Sequence, residues 1–211
     1  YSDPQKFDNF NFVTRVQPSG VIGDMYLGGL GYAYESDDDL KLFASFGWTR
    51  GESNGNAGMF GGMLTDAVFQ AELNSSGDEL LMVPSSAESD ASHNGYGIYI
   101  GMQIPAPYGK FGLEYNYGSK YWTPFTQAQD DPVGSKLATR GHVAEAYYIF
   151  DINPRMFIKL AGLYYDYKYT GSGTPVGAPV KVDDVLDGSA YSLLPVVDTA
   201  LDINASLTVN F

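Results

Sequence analysis

Apolar and polar residues alternate along most of this chain with a period of two. The final segment, Thr199 to Phe211, shows it best. Leu201, Ile203, Ala205, Leu207, Val209 and Phe211 hold the odd positions, with Asp202, Asn204, Ser206, Thr208 and Asn210 between them. Such spacing sends alternate side chains to opposite faces of a strand and suits no helix. Lys110–Trp122 sets Phe111, Leu113, Tyr115 and Tyr117 against Gly112, Glu114, Asn116 and Gly118. Gly95–Ile104 sets Tyr96, Ile98, Ile100 and Met102 against Gly97, Tyr99, Gly101 and Gln103. Leu40–Arg50 and Asp24–Glu35 follow the same rule. Thr139–Phe150 and Arg155–Tyr169 read as strands with apolar residues on both faces, and a short strand at Phe7–Val16 completes a predicted set of eight.

The connections sort into two kinds. Ser36–Asp39, Pro105–Gly109 and Asp151–Pro154 are short and rich in turn formers. Gly51–Asn94, Thr123–Leu137 and Thr170–Asp198 are long, and Gln17–Gly23 is the shortest of that second set. Short and long alternate strictly. An antiparallel transmembrane β-barrel has this grammar, with tight turns on the periplasmic side and long loops outside. A soluble sheet protein has no reason to sort its loops so. The expected fold is therefore all-β: one antiparallel outer-membrane barrel domain over 1–211, with eight strands in this chain. A terminal aromatic at Phe211 resembles the C-terminal signal of bacterial barrels and sets the direction, placing the long loops outside.

Composition agrees. Mean hydropathy is −0.17 and no stretch approaches 18 consecutive apolar residues, so a membrane-spanning helix is excluded. The 17 Tyr, 12 Phe and 2 Trp suit the aromatic girdles of a barrel. The absence of Cys excludes disulfides, thiolate metal sites and a covalently held c-type haem. A formal charge of −13 argues against a nucleic-acid partner. The partners expected are outer-membrane lipid and either further barrel subunits or a surface protein. No signal peptide is visible and the chain opens on Tyr1, which reads as a mature or truncated form.

The acidic charge gathers in the three long loops, which carry 13 of the 25 carboxylates and only Lys136 and Lys181 against them. Asp66, Glu72, Asp78, Glu79, Asp130, Asp131, Asp183 and Asp184 are the candidate residues of an acidic outer mouth that would concentrate cations. The plainer reading is a set of solvated loops, or carboxylates bridged by divalent ions to surface lipid. Gly51–Asn94 also holds apolar patches at Met59–Leu64, Ala67–Phe69 and Leu80–Val83, so it constricts the barrel, caps it or docks a partner.

On the less apolar strand faces stand Lys41, Lys110 and Lys159 with Glu114, Glu145 and Asp202, and Asn204 beside them. These are the candidate lumen-lining residues. Three charges of each sign suit a narrow interior, where an unpaired charge is costly, while a wider barrel would use them to set selectivity. No catalytic, metal or cofactor site is expected. His93 and His142 have no nucleophile at informative spacing, and Asp37–Asp38–Asp39 lacks the spaced ligands of a calcium loop. Gly171–Ser172–Gly173 has no following Lys to make it a phosphate loop.

Three strings carry a family resemblance: Ser119-Lys120-Tyr121-Trp122, Ser135-Lys136-Leu137-Ala138-Thr139-Arg140-Gly141 and Tyr169-Thr170-Gly171-Ser172-Gly173. The chain resembles an uncharacterised family of proteobacterial outer-membrane porins, most clearly from Gly95 to Gly177. That family is about twice as long, so the resemblance implies the C-terminal half of a larger barrel. It implies passive passage of ions or small solutes, with no site residues to carry over. The alternative is a structural or docking barrel with a packed lumen, whose outer loops bind a cytochrome or another cell-surface component.

Overall fold

The computed structural model describes residues 23–56, 69–84, 92–126, 133–174, 177–192 and 195–210. The strands are β1 (Gly23–Glu35), β2 (Lys41–Ser53), β3 (Phe69–Leu73), β4 (Leu80–Pro84), β5 (Ser92–Ala106), β6 (Gly109–Gly118), β7 (Gly141–Asn153), β8 (Met156–Tyr167) and β9 (Thr199–Val209). A five-residue helix, α1 (Val182–Leu186), and a 3-10 turn at Lys136–Ala138 are the helical elements among the described residues. The chain is all-β. No helix among these residues is long and apolar enough to cross a membrane.

Seven strands form one sheet in the order β1-β2-β5-β6-β7-β8-β9, antiparallel throughout the paired run from β5 to β9. Strands β1 and β9 are its edges; among the described residues the sheet does not close on itself. Seven of the eight expected strands are thus present, with shifted ends. Strand β2 runs on to Ser53, β5 starts at Ser92, and β6 stops at Gly118 because the chain turns at Ser119, where Trp122 N–H bonds the Ser119 carbonyl at 3.0 Å. The expected strand Phe7–Val16 and the terminal Phe211 lie outside the described residues.

Contacts divide the chain into two compact units. The smaller draws on Arg50–Asn94 and holds a feature the sequence pattern did not announce, the hairpin β3–β4, paired from Phe69↔Pro84 to Leu73↔Leu80. Its turn is fixed by Asn74, whose carbonyl accepts from Gly77 N–H at 3.0 Å and whose side chain accepts from Asp78 N–H at 3.2 Å. Gly77 supplies the left-handed φ of +75° that this turn requires. Two short strands with mixed patterning are hard to read as such, because β3 and β4 have only five residues each.

The larger unit contains Leu27–Thr49, Gly95–Thr174 and Pro179–Phe211. Its tight turns obey local chemistry. Between β5 and β6 only Pro107 and Tyr108 are left over; Pro presets the first turn position and Tyr108 takes a φ of 60° in the second. After β1, Asp39 adopts φ 61° and its N–H bonds the Ser36 carbonyl at 3.0 Å. Across the sheet the registers align rows of side chains. One row runs Gly101, Glu114, Glu145, Leu163, Asp202; its neighbour on the opposite face runs Met102, Leu113, Ala146, Gly162, Ile203.

These two faces differ in kind. The first is covered by the chain's own loops, and its core is Val143, Tyr147, Ala161, Leu163 and Tyr165. The apolar residues on both faces of β7 and β8 are explained here: one set builds this core and the other lies on the open face. That open face leaves Ile98, Ile100, Leu113, Tyr164, Leu201 and Ile203 uncovered, with Ile203 78% exposed.

Candidate functional site

The register that aligns β6 with β7 sets Glu114 directly opposite Glu145 on the covered face. Like charges facing across a ladder repel, and both carboxylates are nearly withdrawn from solvent, with side chains 9% and 3% exposed. Cations must compensate them. Lys159, from β8, reaches Glu145 Oε1 at 2.7 Å. Lys136 Nζ lies between the two carboxylates and donates to Glu114 Oε2 and to Glu145 Oε2. The hydroxyl of Tyr99, on β5, donates to Glu114 Oε2 at 2.6 Å. Two anions and two cations therefore balance. The ammonium groups also stand over aromatic rings, Lys159 4.3 Å from the centre of Tyr147 and Lys136 5.3 Å from that of Tyr99. Burial alone would push Lys136 down; the bonds and charges of Glu114 and Glu145 outweigh it and hold Lys136 above the usual lysine value.

Lys136 arrives from the loop after β6, and the path of that loop is fixed by backbone bonds. Asn116 Nδ2 donates to the Lys136 carbonyl at 2.8 Å, and Trp122 Nε1 donates to the Leu137 carbonyl at 2.7 Å. The Trp122 indole lies over Gly47, Gly97 and Gly118, from β2, β5 and the end of β6; a Cβ at any of them would overlap the ring. Here the lack of a side chain serves close approach rather than turn geometry.

Arg140 anchors the arrangement. Its side chain is fully buried, and its guanidinium donates to the carbonyls of Trp122 at 3.2 Å, Thr170 at 3.0 Å and Thr174 at 2.8 Å, and to Thr123 Oγ1 at 3.0 Å. Its backbone N–H donates to Ser172 Oγ at 2.9 Å, and Gly173 N–H reaches the Ala138 carbonyl at 3.1 Å. Burial pushes Arg140 down to about 10. At neutral pH it stays charged, since even the lowered value lies well above 7. The three strings that stand out in the sequence thus meet at one place, and Arg140 is where they meet.

The family described as "Protein of unknown function (DUF3373)" matches residues 2–211. The chain belongs to this family. No curated protein and no solved structure matches it.

Of the lumen-lining candidates in this DUF3373 chain, Glu114, Glu145 and Lys159 come together. Lys41 instead pairs with Glu35 at 2.9 Å near the first tight turn, with both side chains well exposed. Asp202 accepts from Asn204 Nδ2 at 2.9 Å, apart from the network. Lys110 lies near the tight-turn end, opposite Pro105 and Ile149. Of the acidic loop candidates, Glu72 sits in β3, Asp78 and Glu79 in the turn that follows, and Asp183 and Asp184 in the first turn of α1. Asp66, Asp130 and Asp131 lie outside the described residues. No cluster able to hold a metal occurs among the described residues.

Sequence reasoning counted Lys136 as a solvated loop cation; the structure folds it onto the sheet. No local signal marked it, because the strand faces already offered three charges of each sign. Tyr99, Trp122 and Arg140 were not marked for any role.

Proposed function

We propose that this chain builds the wall of an outer-membrane β-barrel in a Gram-negative bacterium and gives ions or small solutes passive passage past a constriction made by its 119–140 loop. One observation carries the reading. The open face presents contiguous rows of large apolar side chains, while Glu114, Glu145, Lys159 and Asp202 lie on the other face and the open face's charges stand at its loop-side rim. Monomeric soluble proteins rarely leave such an area uncovered, and a lipid-facing wall needs it. The aromatic side chains add support: Tyr96, Tyr115 and Tyr164 are exposed toward the long-loop end, Tyr108 and Phe150 toward the tight turns. The resemblance to proteobacterial porins points the same way. Closure requires partners for the edges of β1 and β9, from the 7–16 segment, further sequence or another subunit.

In this reading the charge-balanced Glu114–Lys136–Glu145–Lys159 group narrows the passage, and the acidic loops outside it favour cations. The test is planar-bilayer recording of the purified protein. Stepwise conductance that rises with salt, prefers cations and changes selectivity in Lys136→Glu supports it. A wild type that never conducts, although inserted, removes it.

The packed core and the inward-folded loop favour a second reading, a docking barrel whose outer loops hold a cytochrome or another cell-surface component. That reading requires no conductance, together with loss of a co-purifying partner when the 57–91 part of the long loop is deleted and the barrel still folds.

A further inference from the structure

The loop-side rim of the open face carries a second polar site that the passage does not use. A pocket of about 240 Å³ there is lined by Tyr117, His142, Lys168, Tyr169, Lys181 and Asp183. Its charges are of both signs. Lys168 is engaged by Asp166 at 2.8 Å, whereas Lys181 and Asp183 have no ion pair among the described residues. His142 is bonded through Nδ1 to the Tyr115 hydroxyl at 2.6 Å, and the Tyr117 ring centre lies 5.0 Å from its own. An ammonium outside any ion pair and a carboxylate that meets Lys168 only at longer range thus stand in one aromatic-walled pocket.

Tyr115 is also a wall of a larger hollow on the same face. That groove has a volume of about 630 Å³ and is bordered by Leu113, Tyr164 and Leu201, with Ala144, Ala146 and Gly162 as its small-residue floor. In register, His142 and Asp166 occupy the row immediately beyond Ala144 and Tyr164. The polar pocket and the apolar groove are therefore adjoining parts of one surface, joined at the Tyr115–His142 bond.

From this juxtaposition we infer a binding site for a zwitterionic phospholipid: its phosphate at Lys181, its amine at Asp183, and one acyl tail on the apolar groove. The inference rests on the membrane reading above. Charge complementarity selects the head. Lys168 and Lys181 balance Asp166 and Asp183, so these side chains give no net attraction for an anionic head, whereas a phosphate and an ammonium side by side find opposite partners. The tail follows from the groove, whose lining side chains are overwhelmingly apolar and whose small floor residues leave room that large ones would fill.

The test is native mass spectrometry of the full chain in detergent, with phosphatidylethanolamine or phosphatidylglycerol of identical tails, and with glycerophosphoethanolamine as the head alone. Phosphatidylethanolamine should be retained about tenfold better than phosphatidylglycerol, a ratio equivalent to about 1.4 kcal/mol. Asp183→Lys should erase that preference, and Lys181→Glu should weaken retention of both lipids while keeping it. Ala146→Phe, which fills the groove, should weaken retention of both lipids and leave the preference intact. Equal retention of the two lipids, indifference to these substitutions, or equally tight binding of the head alone would overturn the inference. Insertion into phosphatidylcholine vesicles, followed by protease protection, separates the two proposals. Normal insertion without lipid preference removes only the lipid site; failure to insert removes both.

Discussion

The two faces of the sheet are made of the same strands and are held by opposite physics. On the open face each residue acts alone: Leu113, Ile203 and Leu207 are there because every second residue is, and nothing among the described residues packs over them. On the covered face single residues mean little until a loop arrives. Glu114 and Glu145 face each other across a ladder, which is unfavourable by itself, and become stable through Lys136, 22 and 9 residues away in sequence. One face is a pattern and the other is an assembly. A substitution on the first should therefore be felt according to its surroundings, and on the second according to its partners.

Lys136→Met tests the assembly most severely. It leaves two opposed, nearly buried carboxylates with only Lys159, and should cost about 3–5 kcal/mol in urea-induced unfolding. Replacing Lys136 and both glutamates together by apolar residues should recover most of that loss. If Lys136→Met alone is harmless, the loop is not what compensates the carboxylates.

Ile203→Arg tests the pattern. Ile203 is 78% exposed, so on a water-facing surface the change should stay within about 0.5 kcal/mol. On the lipid face of a barrel it should cost about 2–4 kcal/mol near mid-bilayer. Equilibrium folding into vesicles separates the two outcomes cleanly, and the smaller value would remove the membrane reading.

Gly97→Ala should cost about 1–3 kcal/mol by pushing the Trp122 ring off its seat, seen as a shift in tryptophan emission. An unchanged spectrum would mean that the ring is not seated there. The pH dependence is gentler. Because the docked loop holds Lys136 above its ordinary value, the lysine's contribution to docking is present in full below about 10.4 as long as its glutamate partners are ionised, and is lost as pH rises through the higher docked value. Protease sensitivity of the loop should therefore be flat across neutral pH and rise in strong alkali. The smallest effect should come from Lys41→Ala. Its exposed pair with Glu35 is worth under about 1 kcal/mol, and a larger loss would mean that Lys41 has partners beyond Glu35.

These contrasts explain what could be read in advance. Strands β5, β6 and β9 were legible because a one-sided environment imprints a period of two, and the turns at Ser36–Asp39 and Pro105–Gly109 because Asp, Pro and Gly have local reasons to be there. The strand β8 was harder, since Ala161, Leu163 and Tyr165 are buried beneath the loops while Leu160 and Tyr164 lie open, which blurs the alternation. The hairpin β3–β4 escaped because five residues are too few to establish a period. Glu114, Glu145 and Lys159 were legible from parity alone as charges sharing one face of the sheet. Lys136 was not, because nothing in the local sequence of a loop says which surface it will cover. Arg140 was visible only as part of a memorable string, since a guanidinium that bonds carbonyls leaves no complementary acid to look for.

That choice of partner has a consequence for how the protein can change. Three of the four acceptors around the Arg140 guanidinium are peptide carbonyls, and every amino acid carries one. Seen from the guanidinium, a new side chain at Thr170 or Thr174 still offers the same oxygen to the same nitrogen, whereas Trp122 must also keep its indole on the Leu137 carbonyl. The loops that Arg140 ties together form a mount with some interchangeable fittings: side chains can be tried there without rebuilding what holds them.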